Sequence, residues 1–299
     1  MKRAIVTGNF DGLHAGHEHL LFELKALATQ HNLKPCVVSF EPHTDIVTSE
    51  PTDPFILTTN LEKRHILEEF YGTELQLLPF NREFMELSPQ DYLKKVLVDK
   101  LGAGLWLMGF NHTFGKGAQG RDDSLNTLAE DVGVILHQGK PILKGSEPIS
   151  STRIRNFISQ GEIEEANKLL MHPYCIHGEV ERGDQIGQTI GFPTANISIS
   201  PWKLLPAHGV YGGTVKVHGQ KYLCAVHIGP RPSLENLEIR VETHIFDFSQ
   251  DIYSQSVQVE LDFRVRGIKT FSGLDELKTQ IEFDIQSVKT KLGNKLRGI

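Results

Sequence analysis

Short apolar runs and helical patterns alternate along the first half of the chain. Strand-like runs fall at Ala4–Thr7, Cys36–Phe40, Leu75–Leu78, Leu105–Met108 and Val132–Leu136, with helical patterns such as Glu18–His31, Leu61–Phe70 and Pro89–Leu101 between them. This alternation predicts an α/β unit, a doubly wound parallel sheet covered by helices, with ligands at the carboxyl ends of its strands. Two short helical patterns follow, Ser150–Gln160 and Glu162–Met171, separated at Gly161. After His172-Pro173 the texture changes. Strand-like runs at Gly209–Val217, Tyr222–Ile228, Val241–Phe248 and Ser256–Val265 are joined by turn residues, which predicts a small antiparallel β-barrel. Thr270–Leu292 reads as a closing amphipathic helix, its apolar face marked by Phe271, Leu274, Leu277, Ile281 and Ile285. The expected domains are therefore residues 1–171 and 172–299.

Length agrees with that division, since 299 residues suit two domains better than one. A net charge of −6 offers no general attraction to nucleic acid or an anionic membrane, so any phosphate binding has to be local. Three cysteines, Cys36, Cys175 and Cys224, lie far apart. Their odd number and lack of CxxC spacing argue against a disulfide framework or a thiolate zinc site and point to a reducing cytoplasm. No segment approaches the apolar length of a membrane span, and no signal-peptide stretch precedes the first strand-like run.

Candidate chemistry begins directly after that run. Gly8-Asn9-Phe10-Asp11-Gly12-Leu13-His14-Ala15-Gly16-His17 joins the first strand to the first helix. Glycines there let backbone approach a ligand, and the helix N-terminus offers free N–H groups to a phosphate. His14 and His17, three apart, can face the same phosphate, and imidazolium donors would stabilise charge growing on it. Two other readings of this loop stay open: a glycine-rich turn with surface histidines, and a zinc site on His14, His17 and His19. Ser151 and Thr152 can cap a helix, with Arg155 one turn on as a bidentate phosphate donor, although an ordinary capped helix with a solvated arginine reads the same way.

A second glycine-rich loop runs from Gly183 to Asn196 and ends in Pro193-Thr194-Ala195-Asn196. In an extended segment the Thr194 hydroxyl and Asn196 amide oxygen share one face, and hard oxygen ligands of this kind suit Mg²⁺.

These strings carry a family resemblance. The first loop resembles the GxFDGxHxGH signature of the HxGH nucleotidyltransferases. Ser39-Phe40-Glu41-Pro42-His43, the Gly109–Gly117 segment with Asn111, and Ile149-Ser150-Ser151-Thr152-Arg153-Ile154-Arg155 resemble three more motifs, in order, of the prokaryotic bifunctional riboflavin kinase/FAD synthetase family. Gly191-Phe192-Pro193-Thr194-Ala195-Asn196, Gly209-Val210-Tyr211, Ile228–Ser233 and Val241–Phe248 resemble that family's kinase segments. The resemblance implies an N-terminal nucleotidyltransferase domain and a C-terminal six-stranded barrel with a terminal helix. It implies riboflavin, FMN and ATP as substrates, Mg²⁺ as cofactor, and neither nucleic acid nor membrane as partner. Gly8, Phe10, Gly16, His43, Asn111, Ser151, Thr152, Arg155, Gly187, Gly191 and Thr194 would meet ATP, and Asn111 and Arg231 the flavin. Thr194 and Asn196 would hold Mg²⁺. His14, His17 and Glu242 would be catalytic, Glu242 accepting the proton of the ribityl hydroxyl.

The chain also departs from the family pattern. Ala118 stands where arginine is common, His172 replaces the arginine of LLGRPY, Gln188 replaces the loop arginine, His227 replaces the asparagine of NIGxRPT, and Ser254 ends the DLYG segment. The departures at His172 and Gln188 motivate one rival, an FAD synthetase with an inactive kinase barrel. Intact His14, His17 and Glu242 argue against a flavin- or nucleotide-binding regulator without turnover, and the barrel segments argue against another HxGH transferase, such as one acting on pantetheine phosphate or nicotinate mononucleotide.

Overall fold

A computed structural model describes residues 2–109, 124–139, 143–144, 147–170, 172–183, 186–230 and 239–293. Two compact units divide at Ser150/Ser151. In the first, β1 (Arg3–Thr7), β2 (Lys34–Glu41), β3 (Glu74–Pro79), β4 (Ala103–Met108) and β5 (Ile135–Gln138) form a parallel sheet in the order β3-β2-β1-β4-β5. Helices α1 (Ala15–Gln30), α2 (Thr44–Thr48), α3 (Asn60–Tyr71), α4 (Arg82–Met85), α5 (Pro89–Asp91), which runs on as π-helical turns over Tyr92–Lys100, and α6 (Ser124–Asp131) connect the strands. A short ladder, β6 (Leu143–Lys144) with β7 (Glu147–Pro148), ends the unit.

Ala4, Ile5, Val6 and all of β4 are buried. Central parallel strands covered on both faces read as unbroken apolar runs for this reason. The chain winds outward from β1 to β3, then crosses back to place β4 on the other side of β1. The reversal makes the carboxyl end of β1 the switch point, where open α/β sheets leave a crevice for ligands.

In the second unit, α7 (Ser151–Gln160) and α8 (Ile163–Leu170) precede a closed barrel. The barrel contains β8 (Tyr174–Glu181), β9 (Ala195–Ile197), β10 (Gly209–Val217), β11 (Gln220–Pro230), β12 (Ile239–Ile245) and β13 (Ser256–Gly267), in the order β10-β11-β12-β9-β8-β13. The one-turn helix α9 (Ile186–Thr189) lies between β8 and β9, and α10 (Leu274–Leu292) closes the chain. The expected architecture of a parallel-sheet unit followed by a six-stranded barrel and terminal helix is what the chain forms. Strands β8 and β9 have no apolar run to mark them. The first carries His177 and Gly178, and the second is three residues long.

Two sequence readings shift. Helices α7 and α8 pack with the barrel: Ile154, Ile158, Ile163, Ala166 and Leu170 are fully buried, and the Asn167 amide donates to the Leu261 carbonyl at 2.9 Å. The buried stripe of α10 is Asp284, Val288 and Leu292 with Ile285 beside them, while Leu274 is exposed. By helical spacing these residues lie on the same face as Leu277, Ile281 and Ile285, and the Asp284 carboxylate takes the Arg266 guanidinium at 2.8 Å. Among the described residues no helix is long and apolar enough to cross a membrane. The three cysteines are buried and form no disulfide.

Candidate functional site

The Gly8–His14 loop leaves β1 at the switch point. Its backbone is forced into the left-handed region at Phe10 (φ 48°) and Leu13 (φ 42°), conformations that cost an L-residue roughly 1–3 kcal/mol each. A hydrogen-bond framework holds them. Gly8 N–H donates to Val38 O at 3.1 Å, Gly12 N–H to Thr58 Oγ1 at 3.0 Å, and Thr58 N–H to Asp11 Oδ1 at 2.9 Å. The Asn9 amide donates to Thr44 Oγ1 at 2.7 Å. Phe10, buried, lays its ring 5.1 Å from that of His17.

His14 is the N-cap of α1 and makes no side-chain cap bond there. Its ring stacks on His17, with centroids 3.8 Å apart and planes at 18°. Gly16 permits this, since a Cβ there would stand 3.1 Å from the His14 ring. Both Nδ1 atoms are buried and make no hydrogen bond among the described residues. His19 is exposed, and among the described residues no cluster of three His, Cys, Asp or Glu side chains could hold a metal ion, so the zinc arrangement does not form. Burial pushes His14 down to about 4 against the pull of Asp11. Burial, with His14 and Lys63 adding to it, takes His17 well below the ordinary histidine value. The expected imidazolium donors are therefore neutral rings in the free protein, each with one N–H to give. His43 follows β2 and is buried, its Nδ1 accepting from Asp45 N–H at 3.2 Å and its ring edge-on to Phe55.

Ser151 and Thr152 open α7, and Arg155 lies one turn on. Asn111, Ala118 and Arg231 lie outside the described residues. Sequence reasoning missed Lys63, which lies beneath the β1–α1 loop and is only 2% exposed. A lysine in an otherwise polar helix start carries no sign that it is buried.

The barrel assembles a second cluster. Glu242 on β12 pairs in register with Asn196 on β9 and with His227 on β11, and Asn196 pairs in turn with Glu181 on β8. Directly paired residues project to the same face of a sheet, so His227, Glu242 and Asn196 form one row. Asn196 Oδ1 is buried with no hydrogen bond among the described residues. Gly183 is required beside it, because a Cβ there would collide with the Asn196 amide. Thr194 immediately precedes β9. Gly187 accepts from Phe192 N–H at 2.8 Å, and Gly191 N–H donates to Gln188 O at 3.2 Å, which folds the loop back on itself. The His244 ring, also in the Glu242 strand, bonds the Pro193 carbonyl through Nδ1 at 2.7 Å. Burial lowers His227, with Glu242 opposing and Arg266 and His208 adding. His172 is buried, its Nδ1 2.9 Å from the Pro173 carbonyl.

Buried ring nitrogens beside a helix N-terminus in one unit, and in the other a buried amide oxygen with no hydrogen bond among the described residues, in register with a carboxylate, suit phosphate and metal chemistry. Such arrangements are of the kind nucleotide-dependent transferases use. Family models divide it the same way: FAD synthetase over residues 1–153 and riboflavin kinase over residues 170–292. The bifunctional riboflavin kinase/FMN adenylyltransferase of Bacillus subtilis is 33% identical over 293 residues, covering 95% of this chain and 91% of that protein. Its counterpart in Escherichia coli K12 is 34% identical over 281 residues, covering 94% and 90%. The crystal structure of a macrolide-efflux protein from Streptococcus pneumoniae superposes with a TM-score of 0.80 at 32% identity, covering 96% of this chain and 94% of that one. The chain belongs to the bifunctional riboflavin kinase/FMN adenylyltransferase family.

Proposed function

We propose that the protein phosphorylates riboflavin to FMN and adenylylates FMN to FAD with release of pyrophosphate, using ATP in both steps. Adenylyl transfer is assigned to residues 1–171 and phosphorylation to residues 172–299. The observation that carries the reading is the stacked His14–His17 pair, whose buried Nδ1 atoms make no hydrogen bond among the described residues at the start of α1. A neutral imidazole keeps one N–H, so each ring donates to the α-phosphate oxygens as charge builds during displacement. Gly8, Phe10, Gly16 and His43 shape the phosphate side of that site. The resemblance assigns Ser151, Thr152 and Arg155, at the start of α7, as phosphate donors. Asn111 contacts nucleotide and flavin, and Arg231 the flavin, as the resemblance implies.

In the barrel, Glu242 accepts the proton of the ribityl hydroxyl as it attacks the γ-phosphate of ATP. Gly187 and Gly191 shape the loop that meets the phosphates. The donor set fits Mg²⁺: Asn196 Oδ1 is buried without a hydrogen bond among the described residues, and the Thr194 hydroxyl lies two residues before it. When bound, Mg²⁺ would neutralise phosphate charge there. The proposed setting is the reducing cytoplasm, supported by three buried cysteines that form no disulfide.

One observation favours a barrel without kinase turnover. His227 faces Glu242 across the strand pair, where the resemblance calls for asparagine. Incubation of the protein with riboflavin, ATP and Mg²⁺, followed by chromatography, decides between the readings. Appearance of FMN and then FAD is expected. FAD formed from supplied FMN but never from riboflavin would leave only the transferase. Tight flavin binding with no ATP consumption would overturn the enzymatic reading.

A further inference from the structure

We propose that Lys63 is a positioning residue for adenylyl transfer: its buried ammonium clamps the β1–α1 loop to β2 and α3 and sets the charge environment of His17. The inference rests on the functional reading above. Lys63 Nζ donates to Asn9 O at 2.6 Å, to Ser39 Oγ at 2.9 Å and to Asn60 Oδ1 at 3.3 Å. An ammonium has three N–H groups, and all three are used. The Ser39 hydroxyl also donates to Asn9 O at 3.1 Å, which closes the network. Three segments distant in sequence therefore meet at one nitrogen. The loop residue they share, Asn9, directly precedes the strained Phe10.

A buried ammonium is a poor stabiliser, since an apolar side chain of similar volume commonly serves as well or better. Its placement under the loop has a second consequence. Burial lowers Lys63 to about 8, with Asp11 and Glu41 opposing, so it stays charged at neutral pH. The charges facing His17 are Lys63 and, when protonated, His14, and both disfavour a proton on its ring. Asp11 acts on His14 and on Lys63. Burial is the main cause of the neutral His17 ring; Lys63 adds to it through its charge and steadies the loop that packs Phe10 against that ring.

Two variants separate tether from charge. Lys63→Met removes both, and Lys63→Gln keeps hydrogen-bond donors without charge. With the full chain, FMN adenylylation by Lys63→Met should fall on the order of 10²-fold in kcat, the scale expected when a reacting group is misplaced by about 1 Å. Riboflavin phosphorylation in the same sample should be unchanged. Lys63→Gln should recover part of the loss. In both variants the His17 imidazole, followed by nitrogen NMR without substrate, should titrate higher than in the native protein. A folded Lys63→Met protein that adenylylates FMN within about threefold of the native rate overturns the proposal. If Lys63→Met does not fold, Lys63→Gln decides, and a His17 titration unmoved in that variant overturns it. Failure of the native protein to make FAD would remove the functional reading itself and is read before either variant.

Discussion

At the residue scale, each site depends on a few atoms held short of partners. In the proposed mechanism His14→Ala or His17→Ala would remove a donor to the phosphate, and loss of one such donor commonly costs on the order of 10²-fold or more. Riboflavin should then be converted to FMN and stall. Glu242→Gln keeps shape but loses the proton acceptor, so phosphorylation should drop roughly 10²–10⁴-fold while supplied FMN still becomes FAD. Equal loss of both activities in every variant would remove the two-site arrangement. The histidines also make an acid prediction. His14 is near 4 in the folded state and 6.5 when exposed, so between those values the unfolded chain binds the extra proton. Stability is full above pH 6.5 and falls as pH drops toward 4, by about 3 kcal/mol for a shift of this size, with His17 adding in the same direction. Denaturant melts of the native protein from pH 7 to 4, compared with His14→Ala, test this, and equal slopes against pH would contradict it. The glycines and histidines of this loop were legible in sequence because their spacing is local. Lys63 was not, because its burial comes from a strand and a loop far away in the chain.

At the element scale, the first turn of α1 is shaped around a ring. Gly16→Ala should raise helix propensity by up to about 1 kcal/mol. The new Cβ would stand 3.1 Å from the His14 ring, which has to move. The expected outcome is a protein no less stable than native whose adenylylation is slower, read by paired melting and activity assays. Unchanged activity would show that His14 need not stack on His17. Helix α10 illustrates why element faces resist prediction. Its apolar face was visible, yet Leu274 at its start is exposed, and a carboxylate, Asp284, is buried on that face against Arg266. Strand β9 was invisible as a run, and only its pairing with β8 and β12 makes it a strand.

At the scale of the whole molecule, the unit boundary matters for any separation of activities. Ile154, Ile158, Ile163, Ala166 and Leu170 are buried in the second unit, so a fragment starting at Ser151 retains its packing. A fragment starting at His172 loses those contacts, at ~1.5–3 kcal/mol for each large apolar side chain no longer buried. The longer fragment should melt cooperatively and phosphorylate riboflavin without making FAD, and the shorter should melt at a lower temperature. A longer fragment that adenylylated FMN would reverse the assignment of chemistry to units.

The amino-acid order by itself determined what local period and spacing can encode. The alternation of strand and helix patterns, the change of texture after residue 172, and the loops ending in His14–His17 and Thr194–Asn196 are all of that kind. Only the tertiary structure decided which polar atoms are buried and what stands beside them. Burial turned the histidines into neutral donors and hid Lys63 beneath the loop. Strand register brought His227, Glu242 and Asn196 into one row. These depend on desolvation and on contacts between distant segments, and neither leaves a periodic trace along a chain.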